Sequence, residues 1–191
     1  MEARGFMADL LFSLDDAIFN LLINVFPDDH FSNCVIRPRL ARMLGLKCGP
    51  GVQIRKSIYF EWHRDIEVGS DVILNRQCYF DGGGGLRIGD HVRFGPQVMI
   101  ITGVHEIGDS DRRAGRLLKK GITIGDGCWV GARVTVTGGV HLGNGCVVSS
   151  GSVVQRSMSP DYLVAGNPAR PLSQLKRPDG SSEGGNPPTA A

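Results

Sequence analysis

His105 is the side chain whose type and position are best suited to chemistry. It ends the sequence Thr102-Gly103-Val104-His105 and opens a polar segment that runs to residue 121. An imidazole can remove a proton near neutral pH, and such general-base help is worth on the order of 10² to 10⁴ in rate. The sequence therefore indicates a histidine base here, and the alternative is an ordinary polar histidine in a loop.

A second group is needed to orient the imidazole of His105. A partner on the other ring nitrogen would fix the tautomer and stabilise the cation. Two carboxylates are candidates, Asp81 and Glu106, and a backbone carbonyl is an equal alternative. The sequence leaves these three choices open.

The element that must position His105 is a six-residue repeat. Bulky aliphatic residues recur without a break at Ile124, Val130, Val136, Leu142, Val148 and Val154. Four places after the first five of them stand the smaller residues Cys128, Val134, Val140, Cys146 and Ser152. Neither a helix nor a single strand has this period, whereas stacked coils of short parallel strands do. The predicted fold is mainly β: a three-sided parallel β-helix with its aliphatic side chains stacked inward.

The same phase extends towards the N-terminus, with one widening and one interruption. Spacings of six relate Val68, Leu74 and Phe80, and again Ile88, Phe94 and Ile100, and a weaker first coil contains Cys48, Ile54 and Phe60. The interval between the first two sets widens to eight around residues 82–85, which predicts a bulge at one corner. Residues 102–121 lose the phase and carry five cations and three acids. Insertions that leave a regular coil tend to carry function, so we expect chemistry in this excursion.

Residues 1–47 are predicted to form an N-terminal helical segment. Apolar residues follow a helical spacing from about Phe6 to Phe26, and residues 13–16 are predicted to cap a helix start there. Acidic and amide residues within this stretch argue against a membrane span. Few cations accompany the apolar face, which disfavours a helix lying on a membrane. Packing against the β-helix or a neighbouring subunit is therefore favoured over membrane contact.

A second short helix is predicted near Pro38 to Leu44. Proline suits the first turn of a helix, and Gly45 suits the position beyond its end. Three cations lie in this region, Arg37, Arg39 and Arg42. We interpret them as a solvated face, with a phosphate or lipid contact as the alternative.

Composition limits the classes of function and the compartment. The formal net charge of +2 is too small to predict a nucleic-acid partner. The five cysteines are an odd number without metal-ligand spacing, and two occupy inward repeat positions, which predicts reduced thiols in a cytoplasmic protein. Acidic residues in the first apolar stretch predict no signal peptide. Residues 173–191 are predicted to form a largely disordered tail, because they have almost nothing to bury.

Three motifs resemble the hexapeptide-repeat O-acetyltransferases. They are T-G-V-H at residues 102–105, I-G-D-G-C-W-V-G at 124–131 and V-A-G-N-P-A-R at 164–170. The resemblance covers residues 68–172 and includes the maltose, galactoside and nodulation acetyltransferases and the colanic-acid-type polysaccharide acetyltransferases. It implies a left-handed β-helix spanning residues 48–172, assembled as a homotrimer. It also implies transfer of an acetyl group from acetyl-CoA to a hydroxyl, without a metal, in clefts between subunits.

The resemblance also implies roles for individual residues. His105 stands at the position of the family's catalytic histidine, which removes the proton of the acceptor hydroxyl so that its oxygen attacks the thioester directly. Asn75 and Asp81 are predicted on the acceptor side. The positions that bind CoA in the family are occupied here by Trp129, Ser150, Gln155, Arg156 and Arg170.

The chain departs from the family pattern at three places. Ser149-Ser150-Gly151 stands where relatives have Gly-Ala-Gly, and Gln155-Arg156 replaces a frequent Thr-Lys pair while keeping a cation. Residues 1–47 do not match the N-terminal helical region that supplies acceptor contacts in the sugar enzymes. The acceptor is therefore predicted only as a sugar or polysaccharide precursor. The predicted location is cytoplasmic, with a peripheral position on the inner membrane as the alternative.

Two other functions are compatible with the predicted fold. A γ-type carbonic anhydrase would need three histidine ligands for zinc at a subunit interface. The remaining histidines, His30, His63, His91 and His141, form no His-x₄-His pair and are predicted to be structural or exposed. A non-catalytic hexapeptide-repeat scaffold or assembly subunit is the second alternative, because a fold does not determine a function.

Overall fold

The computed structural model describes residues 6–175 and their side chains from Ser13 onward. Two α-helices precede the β-structure: α1 spans Phe6–Asn24 and α2 spans Arg37–Met43, directly after a π-helical segment at Ser32–Ile36. Gly45, with φ +107°, follows the end of α2 as predicted, because glycine adopts this conformation most readily. The predicted helix start at residues 13–16 is wrong, since α1 begins at Phe6 and continues through them. Asp15 and Asp16 instead contact the first coil of the β-helix.

Nineteen strands follow within the described residues. In chain order they are β1 Lys47–Cys48, β2 Gln53–Ile54, β3 Tyr59–Glu61, β4 Ile66–Val68, β5 Ile73–Leu74, β6 Tyr79–Asp81, β7 Leu86–Ile88, β8 Arg93–Phe94, β9 Met99–Ile101, β10 Gly103–Ile107, β11 Ala114–Lys119, β12 Ile122–Ile124, β13 Trp129–Val130, β14 Thr135–Thr137, β15 His141–Leu142, β16 Val147–Val148, β17 Val153–Val154, β18 Tyr162–Gly166 and β19 Ala169–Gln174. A single 3₁₀ turn at His63–Asp65 separates β3 from β4.

Three parallel sheets form the faces of a solenoid. Sheet 1 has the order β1-β4-β7-β12-β15, sheet 2 β2-β5-β8-β13-β16-β18-β19, and sheet 3 β3-β6-β9-β14-β17. Each coil therefore contributes one strand to each sheet: coil 1 holds β1–β3, coil 2 β4–β6, coil 3 β7–β9, coil 4 β12–β14 and coil 5 β15–β17. All pairs within the sheets are parallel except the terminal hairpin of β18 and β19. The predicted parallel β-helix with N-terminal helices is confirmed.

The core is a stack of the predicted inward residues. Ile88, Ile124 and Leu142 lie in register in sheet 1, and the equivalent stacks in sheets 2 and 3 contain Val130 and Val136. All of these side chains are buried. Burying each one contributes about 1.5 to 3 kcal/mol. The smaller residues of the repeat are also buried, and the two cysteines among them, Cys128 and Cys146, are free thiols.

One corner of the prism departs from the regular repeat. It joins sheet 3 to the next strand of sheet 1 and contains residues 62–65 in coil 1, residues 82–85 in coil 2 and residues 102–121 after coil 3. We call it the exit corner. The bulge predicted at residues 82–85 is thus a turn at the same corner from which the long excursion leaves.

Helix α1 covers the first coil with side-chain amides. Asn20 accepts a hydrogen bond from Phe60 N (2.8 Å) and donates one to Phe60 O (2.7 Å). Asn24 repeats the pattern with Ser57 N and Ile58 O, both at 2.8 Å. These amides take the place of a neighbouring strand and protect the exposed edge of sheet 3. The prediction that the helix packs against the β-helix is confirmed.

The interpretation of the basic cluster as a solvated face is wrong for Arg37. This guanidinium is fully buried and donates to Ile23 O (2.8 Å) and Pro27 O (2.9 Å). It therefore satisfies the carbonyls at the end of α1 and in the loop beyond it. Arg39 and Arg42 are exposed, as predicted. No helix within residues 6–175 is both long enough and apolar enough to cross a membrane.

Candidate active site

The excursion that carries His105 is an antiparallel hairpin formed by β10 and β11. Its register places Gly103 opposite Lys119 and His105 opposite Leu117, with an irregularity between His105 and Ile107. Lys120 N donates to Thr102 O at 2.9 Å, which closes the base of the hairpin. His105 thus lies on a paired strand near a fixed base and is not in a free loop.

Asp81 fixes the base of this hairpin. Its buried carboxylate accepts hydrogen bonds from Gly83 N (2.7 Å), Thr102 N (2.8 Å), Thr102 Oγ1 (2.7 Å) and Gly103 N (3.1 Å). Thr102 Oγ1 in turn accepts from Gly84 N at 2.9 Å. One carboxylate therefore joins the glycine turn of coil 2 to the first residues of the excursion. Asp81 makes these contacts within its own chain, whatever its role towards an acceptor.

A cation–π contact supports the hairpin from the other side. Lys119 Nζ lies 3.9 Å from the centroid of the Trp62 ring. Trp62 belongs to the exit corner of coil 1, so this contact ties β11 to a coil two levels away. Such contacts are worth about 0.5 to 1 kcal/mol at exposed sites.

A backbone carbonyl orients the imidazole of His105. Nδ1 lies 2.9 Å from Gly115 O, across the hairpin. A carbonyl oxygen can only accept, so Nδ1 carries the proton in this hydrogen bond and Nε2 of the neutral ring keeps its lone pair. Of the three alternatives, the structure has the backbone carbonyl and neither carboxylate.

Glu106 is committed to a different partner. Arg116 Nη2 donates to Glu106 Oε1 at 2.9 Å across the same hairpin. This hydrogen bond lowers the pKa of Glu106, and the attraction to Arg116 acts in the same direction. The ion pair holds the two strands together next to His105 and leaves a carboxylate anion, which is unsuited to take up a proton near neutral pH.

The residues predicted to bind CoA are exposed. Trp129 is 59% exposed on the outer face of sheet 2, between Arg93 and Val147 of the adjacent strands. Ser150 Oγ accepts from Ala132 N at 3.1 Å at the corner between sheets 2 and 3. Gln155 and Arg156 are exposed after β17, and Arg170 is exposed opposite Ala165 in the terminal hairpin.

Several of the predicted site residues lie at two different corners of a single chain. Asn75 and Ser150 occupy the corner between sheets 2 and 3. Asp81 is the last residue of a strand of sheet 3, and His105 and Arg156 follow strands of sheet 3, so these three lie on the side of the exit corner. The width of sheet 3 separates the two groups. One chain therefore brings Asp81 near the base of the His105 hairpin but does not bring Asn75 or the donor residues on sheet 2 there.

Two surface depressions lie away from His105. One of about 480 Å³ lies beside the glycine turn, and a second of about 630 Å³ extends over the charged outer face of sheet 1, with Lys47, Glu67 and Arg87 in both linings. His105 itself is exposed on the hairpin. Within residues 6–175, no group of three His, Cys, Asp or Glu side chains is arranged to hold a metal ion.

Three contributors to this site were missed from sequence: Gly115 as the orienting carbonyl, and Trp62 and Lys119 as the support of the hairpin. A signal for Trp62 was present, because the interval from Phe60 to Val68 is eight, like the one from Phe80 to Ile88. That match identifies residues 62–65 as the same corner. No comparable pattern identifies Gly115.

Comparison with known proteins supports the predicted hexapeptide repeat. The family model for the hexapeptide repeat of succinyl-transferase matches residues 121–156. A Saccharomyces cerevisiae protein that carries the name of an acetyltransferase is 30% identical over 155 residues, which cover 81% of this chain and 76% of that protein. The Escherichia coli galactoside O-acetyltransferase is 26% identical over 158 residues, which cover 83% of this chain and 78% of that enzyme. The matches to the first three curated relatives span 60%, 78% and 76% of their lengths.

A solved structure gives the same result over nearly the whole chain. A hexapeptide-repeat acetyltransferase from Vibrio cholerae, crystallised with acetyl-CoA, has a TM-score of 0.75 and 30% sequence identity, and the alignment covers 93% of each chain. The six-residue repeat and these relatives together show that the chain belongs to the hexapeptide-repeat acetyltransferases.

Proposed function

We propose that this protein transfers an acetyl group from acetyl-CoA to a hydroxyl of a sugar or polysaccharide precursor, with His105 as the general base. The observation that carries the proposal is the hydrogen bond from His105 Nδ1 to Gly115 O, which leaves Nε2 free to accept a proton. The exposed position of the ring allows a second substrate to reach it.

The proposed reaction needs no covalent enzyme intermediate. Nε2 removes the proton from the acceptor hydroxyl while the oxygen attacks the thioester carbonyl carbon. A backbone N–H stabilises the resulting oxyanion. The carbon–sulfur bond then breaks, and the imidazolium returns its proton to the CoA sulfur. The Gly115 carbonyl accepts from Nδ1–H throughout and stabilises the transient positive charge on the ring.

Four exposed side chains support a donor site for acetyl-CoA. Trp129 offers an apolar surface on sheet 2, and Ser150 offers a hydroxyl at the adjacent corner. Arg156 and Arg170 are exposed cations that suit the phosphates of CoA, because guanidinium groups bind phosphate through paired hydrogen bonds. The V. cholerae relative was solved with acetyl-CoA, which supports the same donor here.

The acceptor class is supported by one relative and by the accessibility of the histidine. The E. coli relative is named for a galactoside. His105 is exposed, and its hairpin carries the Glu106–Arg116 ion pair, so a hydrated, hydroxyl-rich acceptor suits this site.

We further propose that the working site forms between subunits of a homotrimer. Within one chain, Asn75 and Ser150 lie at a different corner from His105, and the hairpin exposes Ile107 and Leu117 to solvent. A neighbouring subunit that covers the hairpin would bury these apolar residues and bring its own Asn75 corner towards His105. The five free cysteines fit a reducing compartment, so we place the reaction in the cytoplasm.

The test is a thiol-release assay with acetyl-CoA and a panel of mono- and oligosaccharides. We expect CoA release that depends on a saccharide. We also expect acetyl-CoA to raise the melting temperature, because it binds only the native state. Arg156→Ala should weaken this shift, and Arg39→Ala, a change at an exposed arginine outside the site, should leave it intact. No turnover and no thermal shift at saturating acetyl-CoA would contradict the proposal and favour the scaffold alternative.

A further inference from the structure

Helix α1 presents a second apolar side to solvent, besides the one that buries Phe19 and Ile23. Leu14, Ile18, Leu21 and Val25 are each between 46% and 69% exposed, although they lie on or directly after the helix that covers the first coil. The opposite side of the helix faces the solenoid: Phe19 and Ile23 are buried there, and Asp16, Asn20 and Asn24 bond to the backbone of residues 57–62. Rotating the helix to bury the leucines would break these hydrogen bonds.

The spacing of the exposed residues is that of a coiled-coil seam. Intervals of four, three and four place Leu14 and Leu21 at d positions and Ile18 and Val25 at a positions. Leucine at d with β-branched residues at a favours two parallel helices. In the sequence, the same spacing continues upstream to Leu11 and Met7. The stripe from Leu14 to Val25 alone is about 16 Å long at the helical rise.

The charge of α1 disfavours a membrane as the occupant of this face. The helix sequence FMADLLFSLDDAIFNLLIN contains three acidic residues and no lysine or arginine. Helices that lie on membranes are rich in cations on the polar face, because the lipid surface is anionic. An acidic amphipathic helix would be repelled by that surface.

The acidic residues of α1 are compatible with a contact between two copies of this helix. Asp15 occupies the e position beside the seam, where two identical helices would bring two carboxylates close together. In this chain Asp15 is already paired with Arg64, at 2.8 Å and 3.1 Å, so its charge is compensated before any contact forms. Two copies of α1 carry the same residues along the seam, so each presents the same surface to the other, as a two-fold interface requires.

We propose that α1 pairs with α1 of a second copy of this chain, as a two-stranded parallel coiled coil along Leu14, Ile18, Leu21 and Val25. The proposed pairing surface lies on α1, at the coil 1 end of the solenoid. The hairpin that carries His105 extends from the solenoid after coil 3. The pairing therefore joins two β-helices, or two assemblies of them, end region to end region.

The test compares two leucines of similar exposure, Leu21 at 69% and Leu172 at 63%. Native mass is measured by analytical ultracentrifugation for the full chain, Leu21→Glu and Leu172→Glu. We expect Leu21→Glu to have half the mass of the other two proteins, with an unchanged melting temperature. A mass that is equal in all three proteins, or that falls to a third, would overturn the proposal.

A second measurement identifies the contact itself. Under mild oxidation, Leu21→Cys should form a covalent dimer, since d residues face each other in a parallel pair. Leu172→Cys should form no more covalent dimer than the parent protein. The parent protein, with its five native cysteines, gives the background of the measurement. Absence of that dimer would overturn the pairing. So would flotation of the parent protein, and not of Leu21→Glu, with phosphatidylglycerol–phosphatidylcholine vesicles, because the face would then bind lipid.

Discussion

Two histidines occupy the same corner of the β-helix and are used in opposite ways. His63 lies in the exit corner of coil 1, is 1% exposed and stacks on Phe19 at 4.1 Å. Its Nδ1 lies 2.5 Å from Asp16 Oδ1 and its Nε2 lies 3.0 Å from Leu44 O. His105 lies in the exit corner after coil 3, is exposed, and has one acceptor, Gly115 O, on one nitrogen.

The difference shows what turns a corner histidine into a base. Both ring nitrogens of His63 are occupied by contacts within the protein, so neither is available to a substrate. Helix α1 supplies Asp16 and Phe19, which cover the ring. At His105 the chain extends outward as a hairpin, and the ring is oriented by one carbonyl and left open on the other side. The covering of the corner therefore determines the chemistry of the imidazole.

The largest effect expected from this comparison is on turnover by His105→Ala. Loss of a general base should reduce kcat by at least ~100-fold, with little change in melting temperature. Steady-state thiol release and thermal unfolding measure the two quantities. His141→Ala, a change at an exposed histidine on sheet 1, is the control and should leave both unchanged. An active His105→Ala enzyme would contradict the proposed difference between His105 and His63.

His63→Ala should give the reverse result. It leaves Asp16 buried with one partner fewer and opens a cavity beside Phe19, which should lower the free energy of unfolding by about 3 kcal/mol. Urea unfolding followed by circular dichroism measures this loss. Turnover per folded molecule, measured well below the unfolding transition, should remain within about twofold of the parent. A stable His63→Ala protein with lost turnover would mean that His63 takes part in the reaction.

Asp81→Asn should affect both properties, because Asp81 lies in coil 2, between His63 in coil 1 and His105 after coil 3. The amide nitrogen cannot accept from Thr102 N and Gly103 N, so the base of the hairpin should loosen. We expect kcat to fall by about tenfold and the free energy of unfolding by about 2 kcal/mol. Asp90→Asn is the matched control, since Asp90 also accepts from a backbone N–H but at a different corner. Equal losses in kcat for the two variants would contradict the role of Asp81 in holding the hairpin.

The repeat could be predicted because it depends on side-chain size at fixed intervals. The spacing from Ile124 to Val154 is unbroken, and the shift between Phe80 and Ile88 located the exit corner. The start of α1 was mispredicted because Ser13, Asp15 and Asp16 resemble a capping sequence, whereas Asp15 and Asp16 serve tertiary contacts. The structure agrees with the sequence on His105 as an accessible histidine in the excursion.

The orienting group of His105 could not be predicted for a different reason. Any residue has a carbonyl, so the selection of Gly115 depends on the register of β10 and β11 and not on a side chain. The hairpin has no clean alternation of apolar residues that would reveal this register. The choice of which side of α1 faces coil 1 likewise depends on backbone groups that the sequence does not display.

The smallest expected effect concerns the ion pair beside the His63 corner. The hydrogen bond from Arg64 lowers the pKa of Asp15 relative to the unfolded chain. A lowered pKa stabilises the fold above the unfolded value, and this stability is lost as the pH falls through the folded value. Asp15→Asn should therefore cost less than about 1 kcal/mol at pH 7 and nothing in strong acid. Urea midpoints at pH 7 and pH 3 test this, and an equal loss at both would contradict the assignment.

The most direct test of the central claim is the pH dependence of kcat/KM for acetyl transfer by the parent enzyme and by His105→Ala. If Nε2 of His105 must be unprotonated to act as the base, the parent activity should fall by about tenfold for each pH unit on the acid side, and the residual activity of His105→Ala should lack that limb. The same acid limb in both proteins would contradict the account, because another group would then be the base.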